Sequence, residues 1–289
     1  MNRVSQAVNS IPGGGIIGKL IFAILAFVAL YYLYQFLFGA TGLEGKQVIN
    51  TILPASPSTA LVTSGKDLPA FYEGGEYTVN AWIYINDYSF NQGHNKHILQ
   101  LGGDSFSTLL VYLGPYKNSL HVRVHTKENT STVQPASPNP SAEDSSDLLT
   151  ADFVKSRFTS IENESSLYNP TRPCDIPSVD MQKWIQVTVT LNNKICDVYV
   201  DGKLARSCIL SSFFKVDRNN LRLSLVDYRG FGGFISNVSS YNYSLNPEEV
   251  WRMYMAGPGT QYTFWEYIGA MFDPKAFNTV NYPKMNITA

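Results

Sequence analysis

The chain has 289 residues, and its 22 lysines and arginines are balanced by 23 aspartates and glutamates, for a formal net charge of −1. A nucleic-acid-binding surface needs clustered basic side chains, and here they are scattered among acidic ones, so no nucleic-acid partner is implied. Three cysteines, Cys174, Cys196 and Cys208, allow one internal disulfide with one thiol left over; that is too few for a disulfide scaffold, and none has C-x-x-C spacing.

Residues 1–15 end in Ile-Pro-Gly-Gly-Gly and read as a flexible amino-terminal segment. Residues 20–38 then run LIFAILAFVALYYLYQFLF without a charge. At about 1.5 Å per residue such a run matches the roughly 30 Å hydrocarbon core of a bilayer, where a helix satisfies its own backbone. The sequence predicts a single transmembrane helix over 16–38, with Leu20, Phe27, Tyr34 and Phe38 among its anchoring side chains. A core helix would be shorter and carry a polar face, and a cleavable signal has a shorter apolar region behind a brief basic start. Gly14 and Gly18 have small-xxx-small spacing but sit at the very start of the span, where flexibility is the simpler role. Arg3 and Lys19 precede the run, whereas Glu44 and Lys46 come after it, a small bias toward a cytoplasmic amino end. Residues 39–67, rich in Gly, Ser, Thr and Pro, read as an extended linker.

From about Leu68 the signal is strands. The run YTVNAWIYI beginning at Tyr77 alternates, with Val79, Ala81, Ile83 and Ile85 on one face, and residues 109–113 and 119–126 form further strands. Residues 184–191, 194–200 and 203–209 form a meander, because Asn192-Asn193 and Asp201-Gly202 accept the positive φ that two-residue hairpin turns require. A later pair, 221–226 and 233–243, flanks a Gly-rich turn. A helix then starts at Asn246, with Pro247 in its first position and Glu249 completing a capping box, and ends at Gly257-Pro258.

Between residues 127 and 180 the strand rhythm stops and Ser, Pro, Asn and acidic residues dominate, a long insertion of the kind that is functional or disordered. The tail, 258–289, is aromatic. Phe264, Trp265, Ile268, Met271 and Phe272 share one helical face, for packing against the domain or for lying at a membrane interface. Five Asn-x-Ser/Thr sequons, at Asn129, Asn163, Asn237, Asn242 and Asn286, are compatible with a lumenal or external domain.

The order of four motifs is informative. Trp184-x2-Val-Thr-Val, then Val198-Tyr-Val-Asp-Gly-Lys203, then Gly232-Gly-Phe-Ile-Ser-Asn-Val238, and Tyr241-Asn-Tyr-Ser-Leu245 leading to Glu248-Glu-Val250 resemble the concanavalin A-like lectin/glucanase superfamily, in its laminin-G-like jelly-roll branch. Tyr77-Thr-Val-Asn-Ala-Trp82 is similar to that branch's first core strand. The resemblance covers about 68–257, interrupted by the insertion. It implies an all-β, two-sheet antiparallel jelly-roll sandwich, here behind a transmembrane helix and with short C-terminal helices after it. It implies little about activity, because members bind sugars, proteins or lipids, or hydrolyse glycans, on one scaffold. Membrane-linked jelly-roll proteins of this branch also resemble structural proteins of large DNA viruses, where an internal membrane is tied to a capsid.

Chemistry is harder to find. Glycoside hydrolysis needs two carboxyl groups about 5 to 9.5 Å apart, and the glucanase-like Glu-x-Asp-x-x-Glu pattern is absent. The densest acidic stretch, Glu143 to Asp147, lies in the polar insertion. His94 with His97, in a loop next to Gly93, and His121 with His125, on one strand face, are histidine pairs without an obvious third ligand, so no metal is expected. Structural calcium, used by some members of the family, would draw on Asp104 and Asp227 as loop candidates only. No Ser-His-Asp order or phosphate loop stands out, and no cofactor is implied. The expected protein is therefore a non-catalytic, single-pass membrane protein that makes structural or recognition contacts, as a minor capsid component of a virion membrane and capsid. The alternative is a cell-surface glycan-binding adhesin, for which Tyr112, Tyr116, His121 and Arg123 would supply stacking and fixed polar groups. Its partners would be the bilayer, neighbouring proteins of an assembly, and glycans.

Overall fold

In this computed structural model the described residues are 16–38, 45–56, 60–126, 149–161 and 174–259. The chain divides into two units, Met1–Leu43 and Glu44–Ala289. Among the described residues the first contains one helix, α1 (Ile16–Phe38), of 23 residues. Its described side chains, Gly18 and residues 20–33, present large apolar groups on every side, with Phe27 78% exposed and Leu20 57%; those of Tyr34 and Phe38 lie outside the described set. Among the described residues no helix is both long and apolar enough to cross a membrane. The stretch 20–33 alone spans about 21 Å at the helical rise, short of a hydrocarbon core.

The second unit is an all-β sandwich of two antiparallel sheets. One sheet has the order β1 (Gly45–Ile49), β12 (Gly232–Tyr241), β4 (Glu76–Asp87), β8 (Trp184–Asn192), β9 (Ile195–Val200) and β10 (Lys203–Ile209), with β2 (Leu53–Pro54) also paired to β12. The other has the order β3 (Leu61–Ser64), β11 (Arg222–Leu225), β5 (Lys96–Gly102), β6 (Ser107–Leu113) and β7 (Leu120–Val124). Alternation places Val79, Ala81, Ile83 and Ile85 of β4 in the core between the sheets, with Val187, Val189 and Leu191 beside them and Leu99, Leu101, Leu109, Val111, Val122 and Leu223 facing them. The β8–β9–β10 meander turns where Asn193, Asp201 and Gly202 adopt positive φ.

Each outer face carries a helix. Helix α3 (Pro247–Ala256) lies over the first sheet, where Tyr254 stacks on Trp82 at 5.7 Å between ring centroids and Val250 is fully buried with Tyr199 and Leu245. Its start is a complete capping box between Asn246 and Glu249. A short helix, α2 (Ala151–Thr159), lies over the second sheet.

Three features depart from the sequence reading. Composition predicts an extended linker over 39–67, with the domain starting near Leu68. Instead β1 and β2 pair with β12 and β3 pairs with β11, because Val48, Ile49, Leu53 and Leu61 pack against the main core. The sequence places His97 in a loop, yet it sits in β5, fully buried. The insertion carries α2, capped by Thr150 and seated by Val154 and Phe158 one turn apart. The aromatic tail with Phe264, Trp265, Ile268, Met271 and Phe272, the acidic stretch from Glu143, and the sequons at Asn129, Asn163 and Asn286 lie outside the described residues. Of the two remaining sequons, Asn237 is buried at positive φ, accepting from Gln47 at 2.9 Å and donating to the Gly257 carbonyl at 2.9 Å.

Removing the cap with Asn246→Ala leaves the Glu249 amide of α3 without its side-chain acceptor, and should lower stability by about 1 kcal/mol, read as a shift in the urea midpoint with an unchanged slope.

Candidate functional site

On the outer face of the second sheet, β5, β6 and β7 bring side chains from paired positions side by side. Tyr112 is opposite His121 across β6 and β7, and Leu110 is opposite Arg123. The Tyr112 and His121 rings stack at 5.0 Å, and the Arg123 guanidinium lies 5.8 Å from the Tyr112 ring. Of the four residues singled out from the sequence, three therefore converge, while Tyr116 stands on the β6–β7 loop.

The group that organises them is Asp175, which sequence reasoning missed. Arg123 grips it with both terminal nitrogens, Nη2 to Oδ2 at 3.0 Å, and His121 Nδ1 lies 2.9 Å from Oδ2. The ion pair is buried, with side-chain exposures of 7% and 2%. Burial alone would raise the Asp175 carboxyl, but hydrogen bonds from His121 and Arg123 and the charges of both hold it well below the usual carboxylate range. The segment bearing Asp175 also bridges β7, since Ile176 and Leu120 exchange backbone hydrogen bonds at 2.8 and 2.9 Å. Two residues of the insertion's return leg thus lie across a strand that precedes it by some fifty positions, a relation that spacing cannot reveal.

Ser119 Oγ lies 2.8 Å from His121 Nε2, so Ser119, His121 and Asp175 form a hydroxyl–imidazole–carboxylate chain where the sequence showed no such order. It has the connectivity of a nucleophile, base and orienting acid. Two features bear on its use as a positioning network. Arg123 already neutralises the carboxylate, and Ser119 packs against the loop backbone, where a Cβ on Gly114 would come within 2.6 Å of its Oγ.

A hydrophobic lid covers a further part of this face. Val154 and Phe158 of α2 pack with Leu149 onto Leu110 and Tyr112, with Phe153 and Tyr228 at the margin. Phe158 meets Tyr112 edge-on at 5.6 Å and stacks on Tyr228 at 5.0 Å. Two buried histidines fasten the lid through their Nδ1 atoms, each accepting a backbone N–H at 3.1 Å: His125 from Leu149, and His97 from Asp227. Burial pushes His97 down to about 4, against the raising effects of the Asp227 charge and a Gln100 hydrogen bond. Burial, then the Lys215 ammonium, push His125 down to about 4.

The β6–β7 loop is held from below. The Tyr88 hydroxyl donates to the Gly114 and Lys117 carbonyls, and Lys96 Nζ donates to the Pro115 carbonyl at 3.0 Å while sitting 4.3 Å from the Tyr88 ring centroid. Burial pushes that ammonium down to about 8, against the opposing charge of Asp87. Tyr116 and His121, both partly exposed, are the accessible members of the site.

The calcium candidates do not meet. Asp104 is exposed and pairs with Arg222 at 2.8 Å, and Asp227 accepts from the Tyr228 amide at 2.7 Å. His94 is half-buried and separate from the lid contacts. Among the described residues the one converging set of three metal-ligand side chains is Cys174, Cys196 and Cys208, and Cys174 and Cys208 are joined as a disulfide.

No protein-family model matches the sequence, and no curated protein matches it. Among solved structures the chain is similar to the receptor-binding domain of a botulinum neurotoxin mosaic serotype C/D, at 14% identity and a TM-score of 0.41 over 74% of this chain and 45% of that one. It is similar to the botulinum neurotoxin serotype D ligand-binding domain in complex with N-acetylneuraminic acid, at 15% identity and 0.41 over 74% and 46%. It is also similar to Trypanosoma rangeli sialidase, at 14% identity and 0.37 over 65% and 24%. The chain thus spans less than half of each. At these scores the likenesses add no argument of their own; strand pairing establishes the sandwich.

Breaking the buried pair with Asp175→Asn leaves Arg123 without its counter-charge and should cost about 3–5 kcal/mol in denaturant unfolding. The histidines set a pH dependence. Their folded values lie below the unfolded value of about 6.5, so the stability they contribute is complete above it and is lost as pH falls from about 6.5 toward 4. Replacing both, as His97→Gln with His125→Gln, should flatten the fall in thermal midpoint across that window.

Proposed function

We propose that this chain is a non-catalytic, membrane-tethered recognition protein. The observation that carries the reading is helix α1: its described side chains are large, apolar and exposed on all sides, a surface that suits lipid and not water. The whole helix, 16–38, would extend about 34 Å at the helical rise, enough for a bilayer core, with Lys19 as its single charge near one end. The amino end faces the cytoplasmic side in this reading, in keeping with the slight basic excess before the span.

Glycans are the ligand class the sandwich suits best in this reading. Tyr116 supplies an aromatic surface on a loop braced by Tyr88 and Lys96, and His121, five residues on and fixed by Asp175 and Ser119, supplies a second pre-oriented ring. Tyr112 and Arg123 then act beneath the surface as supports. The resemblance to laminin-G-like jelly rolls is compatible with this use.

A second reading, contact with neighbouring proteins in a membrane-linked assembly such as a virion shell, draws on a different observation. Strand β10 ends its sheet among the described residues, and Ile209 and Leu204 are 81% and 54% exposed along it. An open edge with apolar side chains can accept a partner strand.

Two measurements test the proposal. The full chain should stay with membranes through an alkaline carbonate wash, and deletion of residues 16–38 should release it; full release of the intact chain would sink the tether. On a glycan array, reproducible binding abolished by Tyr116→Ala supports the lectin reading. Silence across the array with retained capture of an assembly partner, lost on Ile209→Lys, favours the second.

A further inference from the structure

We propose that Cys196 and the Cys174–Cys208 disulfide form a thiol–disulfide exchange centre that can move the covalent tie on the insertion from Cys174 to Cys196. The three sulfurs lie within 4.8 Å of one another, and all three residues are buried in the core between the sheets. The Cys174–Cys208 bond joins residues whose Cα atoms are 5.7 Å apart. Cys196 is the free thiol.

Geometry allows a second pairing. Cys196 and Cys208 are direct partners in the β9–β10 ladder. Directly opposed residues of an antiparallel pair have Cα atoms about 4.5 to 5.5 Å apart, which falls inside the range of about 4.4 to 6.8 Å that disulfides span. Cys208 Sγ is already 3.2 Å from the Cys196 carbonyl oxygen, so its side chain leans toward that strand.

The step is balanced without an oxidant. The Cys196 thiol loses its proton, its thiolate attacks Cys208 Sγ, a Cys196–Cys208 bond forms as the Cys174–Cys208 bond breaks, and Cys174 leaves as a thiolate that takes up a proton. Burial pushes the Cys196 thiol up to about 12, with the nearby Asp197 charge adding to it, so the attacking thiolate is scarce and exchange is slow near neutral pH.

The two forms differ in what they fasten. Cys196–Cys208 joins strands that are already hydrogen-bonded, whereas Cys174–Cys208 joins the insertion's return leg to β10. After exchange that leg keeps the Asp175 ion pair, the Leu120–Ile176 bridge and the Asn118–Val179 hydrogen bonds but loses its covalent tie. The centre thereby sets how firmly the segment over His121 and Arg123 is fixed.

The test uses the full chain without reductant, incubated below its unfolding midpoint, quenched in acid, alkylated and digested with pepsin under acid conditions to prevent scrambling. Mass mapping should show a Cys196–Cys208-linked peptide alongside the Cys174–Cys208 one. Alkylation at Cys174 should appear at a rate rising about tenfold per pH unit, as the thiolate fraction does below its pKa. Cys174→Ser treated with oxidised glutathione should form the Cys196–Cys208 bond. If the wild type never yields that peptide at any pH, or if Cys174→Ser keeps both remaining thiols alkylatable, the proposal is overturned.

Discussion

The carboxylate of Asp175 is the constraint around which the second sheet's outer face is arranged. A buried carboxylate with no counter-charge would be intolerable, so Arg123 must fold inward along β7 to meet it, and His121 must turn its Nδ1 toward the same oxygen. Those two commitments fix the ring of Tyr112 between them and Phe158 above. The lid, the strand and the insertion's return leg are therefore one mechanical unit. The disulfide at the adjacent Cys174 fastens this unit to the opposite sheet through β10.

The strands that alternate strongly were legible because their own chemistry decides them. In β4 the inward series from Val79 to Ile85 reports one buried face, and the Asn193 and Asp201 turns report their own backbone geometry. The same holds for α3, whose capping box is a local pattern. Strands β1, β2 and β3 were not legible, since each is short and draws its stability from partners roughly 160 to 200 residues away in β12 and β11. Lys96 and His97 concealed β5: a lysine and a histidine open a strand that is buried on both faces, and burial of such groups depends on tertiary partners.

The candidate site shows the same division. Tyr112, His121 and Arg123 could be grouped from strand periodicity, because β6 and β7 are neighbours in sequence. Their state could not. Whether they face a ligand or an internal partner depends on Asp175 and Phe158, which come from a segment whose polar composition reads as solvent-facing. The Val154–Phe158 spacing behind Thr150 is the one local trace of α2, and it spans only a single turn.

Asn237 carries a further implication. Its side chain is enclosed between Gln47 and the Gly257 carbonyl at the point where the first sheet meets the end of α3. An oligosaccharide attached there could not be accommodated, so modification of this asparagine and formation of the native sandwich exclude each other. In a compartment where sugars are transferred to emerging chains, the domain would face a kinetic race: closure of β12 against β1 and β4 must outrun the transferase. The yield of folded protein would then depend on the speed of the last strand to join.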